Sequence, residues 1–237
     1  MEGRMNSKIV IIFGVVVLLL IVFGGGYLLL TNKNTPNTAT PTSSTSATTT
    51  SASSTTSTSS SVPANSILTA DAVSVATSSK KRFADAQARL SAWPLWKSDA
   101  QFSGLFMTFD QYLILDSVNE IYVFDSASDA SNHYTISVSQ ASGNSLRALV
   151  PKADYQGALL PINSEFWQSN YVDAIQFADK NGGSDFMKTN SVTAIDANLL
   201  RTAPNNYLYW VVTYKTSENT NSLTVKMDAK TKTLVAE

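Results

Sequence analysis

Apolar and polar positions follow three rhythms along this chain. In the first, residues 9–30, IVIIFGVVVLLLIVFGGGYLLL, run apolar without a charge. As a helix these 22 residues extend about 33 Å, enough for the ~30 Å hydrocarbon core of a bilayer. Each Leu, Ile, Val or Phe favours insertion by roughly 0.3 to 0.6 kcal/mol, which outweighs the glycines in the run. Arg4, Lys8 and the amino terminus lie before it, and only Lys33 follows closely. That bias predicts residues 1–8 in the cytoplasm, a single transmembrane helix at 9–30, and everything after it outside the cytoplasm. A cleavable signal peptide is the alternative, but the run exceeds a usual h-region and no small-x-small site follows closely. Gly24, Gly25 and Gly26 lack the i, i+4 spacing of a helix-dimerisation face.

The second stretch has almost no apolar positions. Between residues 31 and 61, 22 of 31 residues are Ser or Thr, with Pro36, Pro41 and one charge, Lys33. Such a segment cannot bury enough surface to offset its conformational entropy, so residues 31–65 are expected to be a disordered linker, a stalk open to O-glycosylation or a plain spacer. No Asn-x-Ser/Thr sequon occurs in the chain.

From residue 66 the helical and strand periods alternate. Residues 69–92 read as helix with Ser78 as a candidate break: Phe83, Ala86 and Leu90 share a face, and Lys80, Arg82, Asp85 and Arg89 are expected to solvate the rest. Trp93-Pro94 ends it. Ser98-Asp99-Ala100-Gln101 has capping-box spacing and predicts a short second helix stopped at Gly104. Strands are then expected at 105–109, 112–116, 120–125, 134–139 and 145–150, with turn chemistry between them. After Pro161 the order returns, with a helix at 171–180 that carries Ala174, Ile175 and Ala178 on one face and is stopped by Asn181-Gly182-Gly183. Strands follow at 192–200, 207–214, 223–227 and 233–235. The halves match at an offset of 87 residues: Ile121 and Tyr122 with Leu208 and Tyr209, Ile136 and Val138 with Leu223 and Val225. Either a duplication or chance likeness between meanders explains this. The expected fold class is α+β, a helix packed on antiparallel sheet, with lobes at 66–160 and 161–237.

Composition narrows the chemistry. There is no cysteine, which removes disulfides, thiolate metal sites and cysteine nucleophiles together. From residue 66 onward there are 14 Lys plus Arg against 17 Asp plus Glu, and no basic stripe beyond Lys80-Lys81-Arg82, so nucleic acid is not an expected partner. His133 is the sole histidine, so a Ser-His-Asp triad would have to use it, and turn decoration is the better reading. The run 125–132, DSASDASN, offers oxygens at alternate positions like a calcium loop, but lacks the central glycine and final glutamate of an EF-hand. Asp173, Asp179 and Asp185 have no spacing that marks a general acid. No catalytic, metal or cofactor residue is therefore assigned, and no enzyme activity is expected. On the strand at 207–214, alternation puts Tyr207 and Tyr209 on one face and Trp210, Val212 and Tyr214 on the other; one face should be core, and the other either meets the second lobe, the favoured reading, or forms a recognition surface.

Several of these residues together resemble a PepSY domain: Ala174 and Ala178 on the helix, Gly182-Gly183, the strand YLYWVVTY, and the hairpin LTVKMDAKTKTLV, with Lys232 where that family usually has glycine. About 65 residues are covered, and a degenerate copy covers part of 84–150. The resemblance implies a helix on an antiparallel sheet in a secreted or membrane-attached bacterial protein with a non-catalytic role. PepSY-like segments occur in propeptides of thermolysin-type metallopeptidases and are thought to restrain or assist proteases. The expected partners are the bilayer, through residues 9–30, and an envelope or extracellular protein; a self-associating structural component of the cell surface is the alternative.

Overall fold

A computed structural model describes residues 63–155, 159–202, 207–217 and 221–235. The expected cytoplasmic segment 1–8, the span 9–30 and the linker up to residue 62 lie outside the described residues. Among those described, no helix is long and apolar enough to cross a membrane. The last three residues assigned to the linker, 63–65, already belong to the fold, because Ser66 N donates to Pro63 O (2.9 Å) and Leu115 N to Asn65 O (3.2 Å).

A short 3-10 turn, Ile67–Thr69, leads into α1, Ala72–Ser91, whose first free N–H groups are met by the Asp71 carboxylate accepting from Val73 N at 3.0 Å. No break occurs near Ser78. Thr77 returns its hydroxyl to Val73 O (3.1 Å), so this Ser/Thr-rich stretch meets its own hydrogen-bonding needs without leaving the helix. Ala86 and Leu90 are buried, and Phe83 lies 4.8 to 6.2 Å from the rings of Phe102, Tyr122, Phe124 and Trp167.

The helix expected from Ser98 does not form. Asp99 instead reaches across sequence to accept from Ser126 Oγ (2.7 Å) and Ser128 N (2.9 Å), and β1, Gln101–Asp110, begins there. Leu105, Met107 and Phe109 alternate into the core, and this period of two wins over the capping signal. Gly104 is not a stop; it sits at a bulge in the β1 ladder, where a Cβ would come 2.8 Å from the Phe106 ring. The strand expected at 112–116 is likewise absent. Asp110 Oδ1 accepts from Tyr112 N and Ile114 N, Leu113 takes a left-handed φ of 54°, and Leu115–Ser117 is a 3-10 turn.

The remaining strands are β2 Asn119–Asp125, β3 Asn132–Ser139, β4 Ser145–Pro151, β5 Val192–Thr202, β6 Tyr207–Thr216 and β7 Ser222–Asp228. They make one antiparallel sheet in the order β4-β3-β2-β1-β5-β6-β7, with a single bridge, Met227↔Leu234, where the last strand was expected. The stop expected at Asn181-Gly182-Gly183 is present: helix α2, Tyr171–Ala178, ends in a kink, Asp179–Gly183, where Asn181 (φ −105°, ψ 38°) and Gly182 (φ 110°) leave helical geometry, and a separate short helix, α3, Ser184–Thr189, begins beyond it. Asn170 caps α2 reciprocally with Asp173.

Register fixes the two faces. Leu105 opposes Tyr122 and Leu199, and Leu199 opposes Trp210, so these side chains share the face on which α1 and α2 lie, with Phe124, Ile136, Val212, Tyr214 and Val225. Tyr207 and Tyr209 point to the other face. The segments 66–160 and 161–237 do not stack through that face; they join edge to edge, β1 against β5, from Leu105↔Leu199 to Asp110↔Ala194. The 87-residue offset keeps the helix face in β3 and β7, where Ile136 corresponds to Leu223 and Val138 to Val225. It fails in β2 and β6, because Tyr122 faces the helices and Tyr209 faces away; a one-residue slip reverses every side chain.

Candidate functional site

Three clusters concentrate the polar chemistry. The first lies in the core. Glu120, the second residue of β2, lies on the helix face, fully buried, and its carboxylate accepts from Arg82 Nε (3.0 Å), Gln140 Nε2 (3.2 Å) and the Tyr122 hydroxyl. Tyr171 OH in turn accepts from Gln140 Nε2 at 2.6 Å and Arg82 Nη2 at 3.3 Å. Arg82 therefore does not solvate α1 as its sequence position suggested; it ties α1, β2 and α2 together. Burial, with the Glu120 charge beside it, holds the Tyr122 hydroxyl protonated far above its ordinary range.

The second cluster gathers around His133. The 125–132 loop spends its oxygens on its own geometry: Asp129 Oδ1 accepts from Ser131 N and Asn132 N, both at 3.0 Å, and Oδ2 accepts from Tyr134 OH at 3.2 Å. Asp125 Oδ1 lies 2.6 Å from Lys152 Nζ and 3.0 Å from His133 Nδ1. Ser126 Oγ, the neighbouring hydroxyl, is engaged by Asp99. The imidazole meets the Tyr155 ring edge-on at 4.9 Å. Among the described residues no three His, Asp or Glu side chains converge on a point where a metal could sit.

Burial lowers the His133 pKa below its ordinary 6.5, against the opposing pull of Asp125. A depressed histidine pKa stabilises the fold above pH 6.5, and the contribution is lost as pH falls from there through the folded-state value. The urea midpoint should therefore drop between pH 7 and pH 5, and His133→Gln should flatten that drop. An equal slope in the variant would remove the imidazole as its source. As the only histidine in the chain, it reports its own titration by NMR without assignment ambiguity.

The other carboxylates singled out by sequence are dispersed. Asp173 completes the α2 capping box and pairs with Lys232 Nζ at 2.9 Å. Asp185 pairs with Lys188 on the surface. Burial raises the pKa of Asp179, the C-cap of α2.

The third cluster forms a cleft of about 650 Å³ at the foot of β5, β6 and β7. Ile162 N donates to Phe102 O (2.7 Å), which pins the segment after Pro161 against β1. Asn163 then caps the 3-10 turn Ser164–Phe166 and leaves the Phe166 ring 49 % exposed. Arg201, Tyr207 and Leu208 line the opposite wall, with Tyr207 56 % exposed. The rim is the Asp228 turn. Although burial pushes its carboxyl up, the N–H groups of Thr231 and Lys230 hold Asp228 below its ordinary value. Lys230 Nζ sits 5.4 Å over the Phe166 ring. An apolar concavity with a few polar groups at its rim suits binding of a side chain or small apolar group.

Sequence reasoning singled out Tyr207 but missed this cleft. Its walls come from Ile162 and Phe166, from Arg201, Tyr207 and Leu208, and from the Asp228 turn, and no local spacing links them. No protein-family model matches the chain, and no curated protein or solved structure matches it.

Proposed function

We propose that this chain is a membrane-anchored, extracytoplasmic binding module, PepSY-like in its helix-on-sheet units, which grips an envelope or extracellular protein without transforming it. The cleft carries the reading, because its exposed surface is aromatic and aliphatic while its one carboxylate, Asp228, is held by the turn that forms the rim. The uncharged run at 9–30 and the Ser/Thr-rich stretch after it supply an anchor and a tether.

Two features support the PepSY-like reading and an internal duplication. Strand order runs outward from the shared β1·β5 pair as β1-β2-β3 on one side and β5-β6-β7 on the other, each set preceded by a helix that packs on its own half. Lys232, which stands where the PepSY pattern has glycine, takes φ 58°, so the turn keeps a glycine-like geometry. Protease modulation is the role that the resemblance suggests for such a module.

The cysteine-free sequence makes a test direct. Ser98→Cys and Phe166→Cys both place a thiol on exposed positions. In intact cells both should react with a membrane-impermeant maleimide, and Phe166→Cys should react several-fold more slowly than in purified protein if a partner fills the cleft. Reaction of neither until lysis would overturn the extracytoplasmic placement. Unchanged rates at both would overturn occupancy of the cleft.

A further inference from the structure

The two outer strands of the sheet end differently. Beyond β7 the chain returns on itself: Val235 N donates to Lys226 O (3.0 Å) and Asp228 N to Thr233 O (2.9 Å), so that edge is partly closed. Beyond β4 no such strand follows among the described residues. Ser139 N donates to Asn144 O and Lys152 N to Ser131 O, both at 2.9 Å, and these bonds set the alternation of the β3·β4 ladder. Residues 146, 148 and 150 therefore turn their backbone groups toward β3. The N–H groups of Ser145, Arg147 and Leu149 point outward, until Pro151 ends the row of donors.

The side chains around this edge select what would fit it. Leu146 is 48 % exposed on the face away from the helices, and Arg147 lies on the helix face. Arg147 sits 5.5 Å over the Trp93 ring and donates to Arg89 O (3.3 Å), while Arg89 donates to Ser145 Oγ (2.8 Å). The hydrogen bonds of both guanidiniums go to neutral groups; Asp85, one turn earlier on α1, attracts Arg89 but is hydrogen-bonded to Lys81 at 2.6 Å, and no carboxylate pairs directly with Arg147 among the described residues. A second copy added antiparallel here would bring Arg147 and Arg89 toward their own equivalents, a like-charge contact.

We propose that the free edge of β4 takes up an extended segment of a partner protein as an added strand, with acidic side chains beside Arg147 and Arg89 and apolar ones beside Leu146. Main-chain pairing supplies affinity and the alternation supplies selectivity. This adds a second surface to the binding module proposed above and rests on that reading.

The test uses the full-length protein in nanodiscs and two labelled heptapeptides, one alternating valine with glutamate and the other valine with lysine. The glutamate peptide should bind at least tenfold more tightly by fluorescence anisotropy. Arg147→Glu should reverse that preference, and Leu149→Pro, which deletes an outward N–H, should weaken the glutamate peptide about tenfold. If Leu149→Pro does not fold, Arg147→Glu alone decides. Equal binding of both peptides, or a preference unchanged by Arg147→Glu, would overturn the proposal. A full-length dimer dissociated by Leu149→Pro would also overturn it, in favour of a second copy at the edge. Slow reaction of Phe166→Cys in cells with no discrimination between peptides would overturn the edge alone; loss of both results would remove the binding module as well.

Discussion

Gly183→Ala should destabilise the fold by about 3 kcal/mol, the upper end of what overpacking costs in a well-filled core. At φ −59° and ψ −45° the residue is helical, so alanine would otherwise gain about 1 kcal/mol there. Sterics reverse the sign. A Cβ at this position would lie 2.2 Å from the Tyr214 hydroxyl oxygen, 2.4 Å from Cζ and 2.9 Å from Ala178 O, and neither the buried ring nor the backbone can withdraw cheaply. Gly143→Ala is the control: its φ of 68° strains an alanine by only about 1 kcal/mol and nothing lies within 4 Å of the new methyl. Combining Gly183→Ala with Tyr214→Leu should cost less than the sum of the two single changes. Additive losses in urea unfolding would show that the Tyr214 ring is not the obstacle.

The second large effect is expected at Glu120. Glu120→Ala leaves the partly buried Arg82, Gln140 and Tyr122 without their shared acceptor; breaking a buried pair from one side costs about 3 to 5 kcal/mol, and the partial exposure of Arg82 puts this case at about 3 kcal/mol. Removing both charges is different in kind. Arg82→Met with Glu120→Leu takes away the desolvation penalty along with the attraction, so the double variant should be closer to wild type than Glu120→Ala. Tyr122, Tyr171 and Gln140 lose partners in either case, which keeps the double variant from full recovery. A double variant less stable than Glu120→Ala would mean that the pair contributes more through hydrogen bonding than it loses by burial.

Much of this architecture is readable from alternation. The period of two locates β2, β3, β4, β6 and β7 to within about two residues, because in the middle strands one face is core and the apolar positions are forced to repeat. The same rule places Glu120 on the face of Tyr122 and Phe124, two and four residues on, and so marks it as buried. A carboxylate at a strand end usually faces water, and that expectation masks the signal. Its partner, Arg82, has no signal of its own on α1; only the folded sheet brings the two together from 38 residues apart.

Local signals fail where a distant contact outcompetes them. Asp99 could cap a helix, but the Ser126 turn offers it two donors and β1 a place in the sheet centre. Residues 112–116 have strand composition, yet Asp110 captures two of their N–H groups and turns the chain. Gly182-Gly183 does stop α2, with Gly182 at φ 110°, but the close packing of Gly183 against Tyr214 has no local signal and exists only in the fold. The cleft shares this character, since it exists only after three separated segments meet.

The way the chain enters the fold has a mechanical consequence. Ser66 bridges Ile114, Ile67 N donates to Leu113 O at 2.8 Å, and Leu115 N donates to Asn65 O. A load transmitted from residues before Pro63 would reach this short ladder before it reaches α1 or the seven strands. Under tension the ladder and the buried Ile67 side chain should release first as a separate yielding step, leaving the sheet and both of its proposed contact surfaces intact.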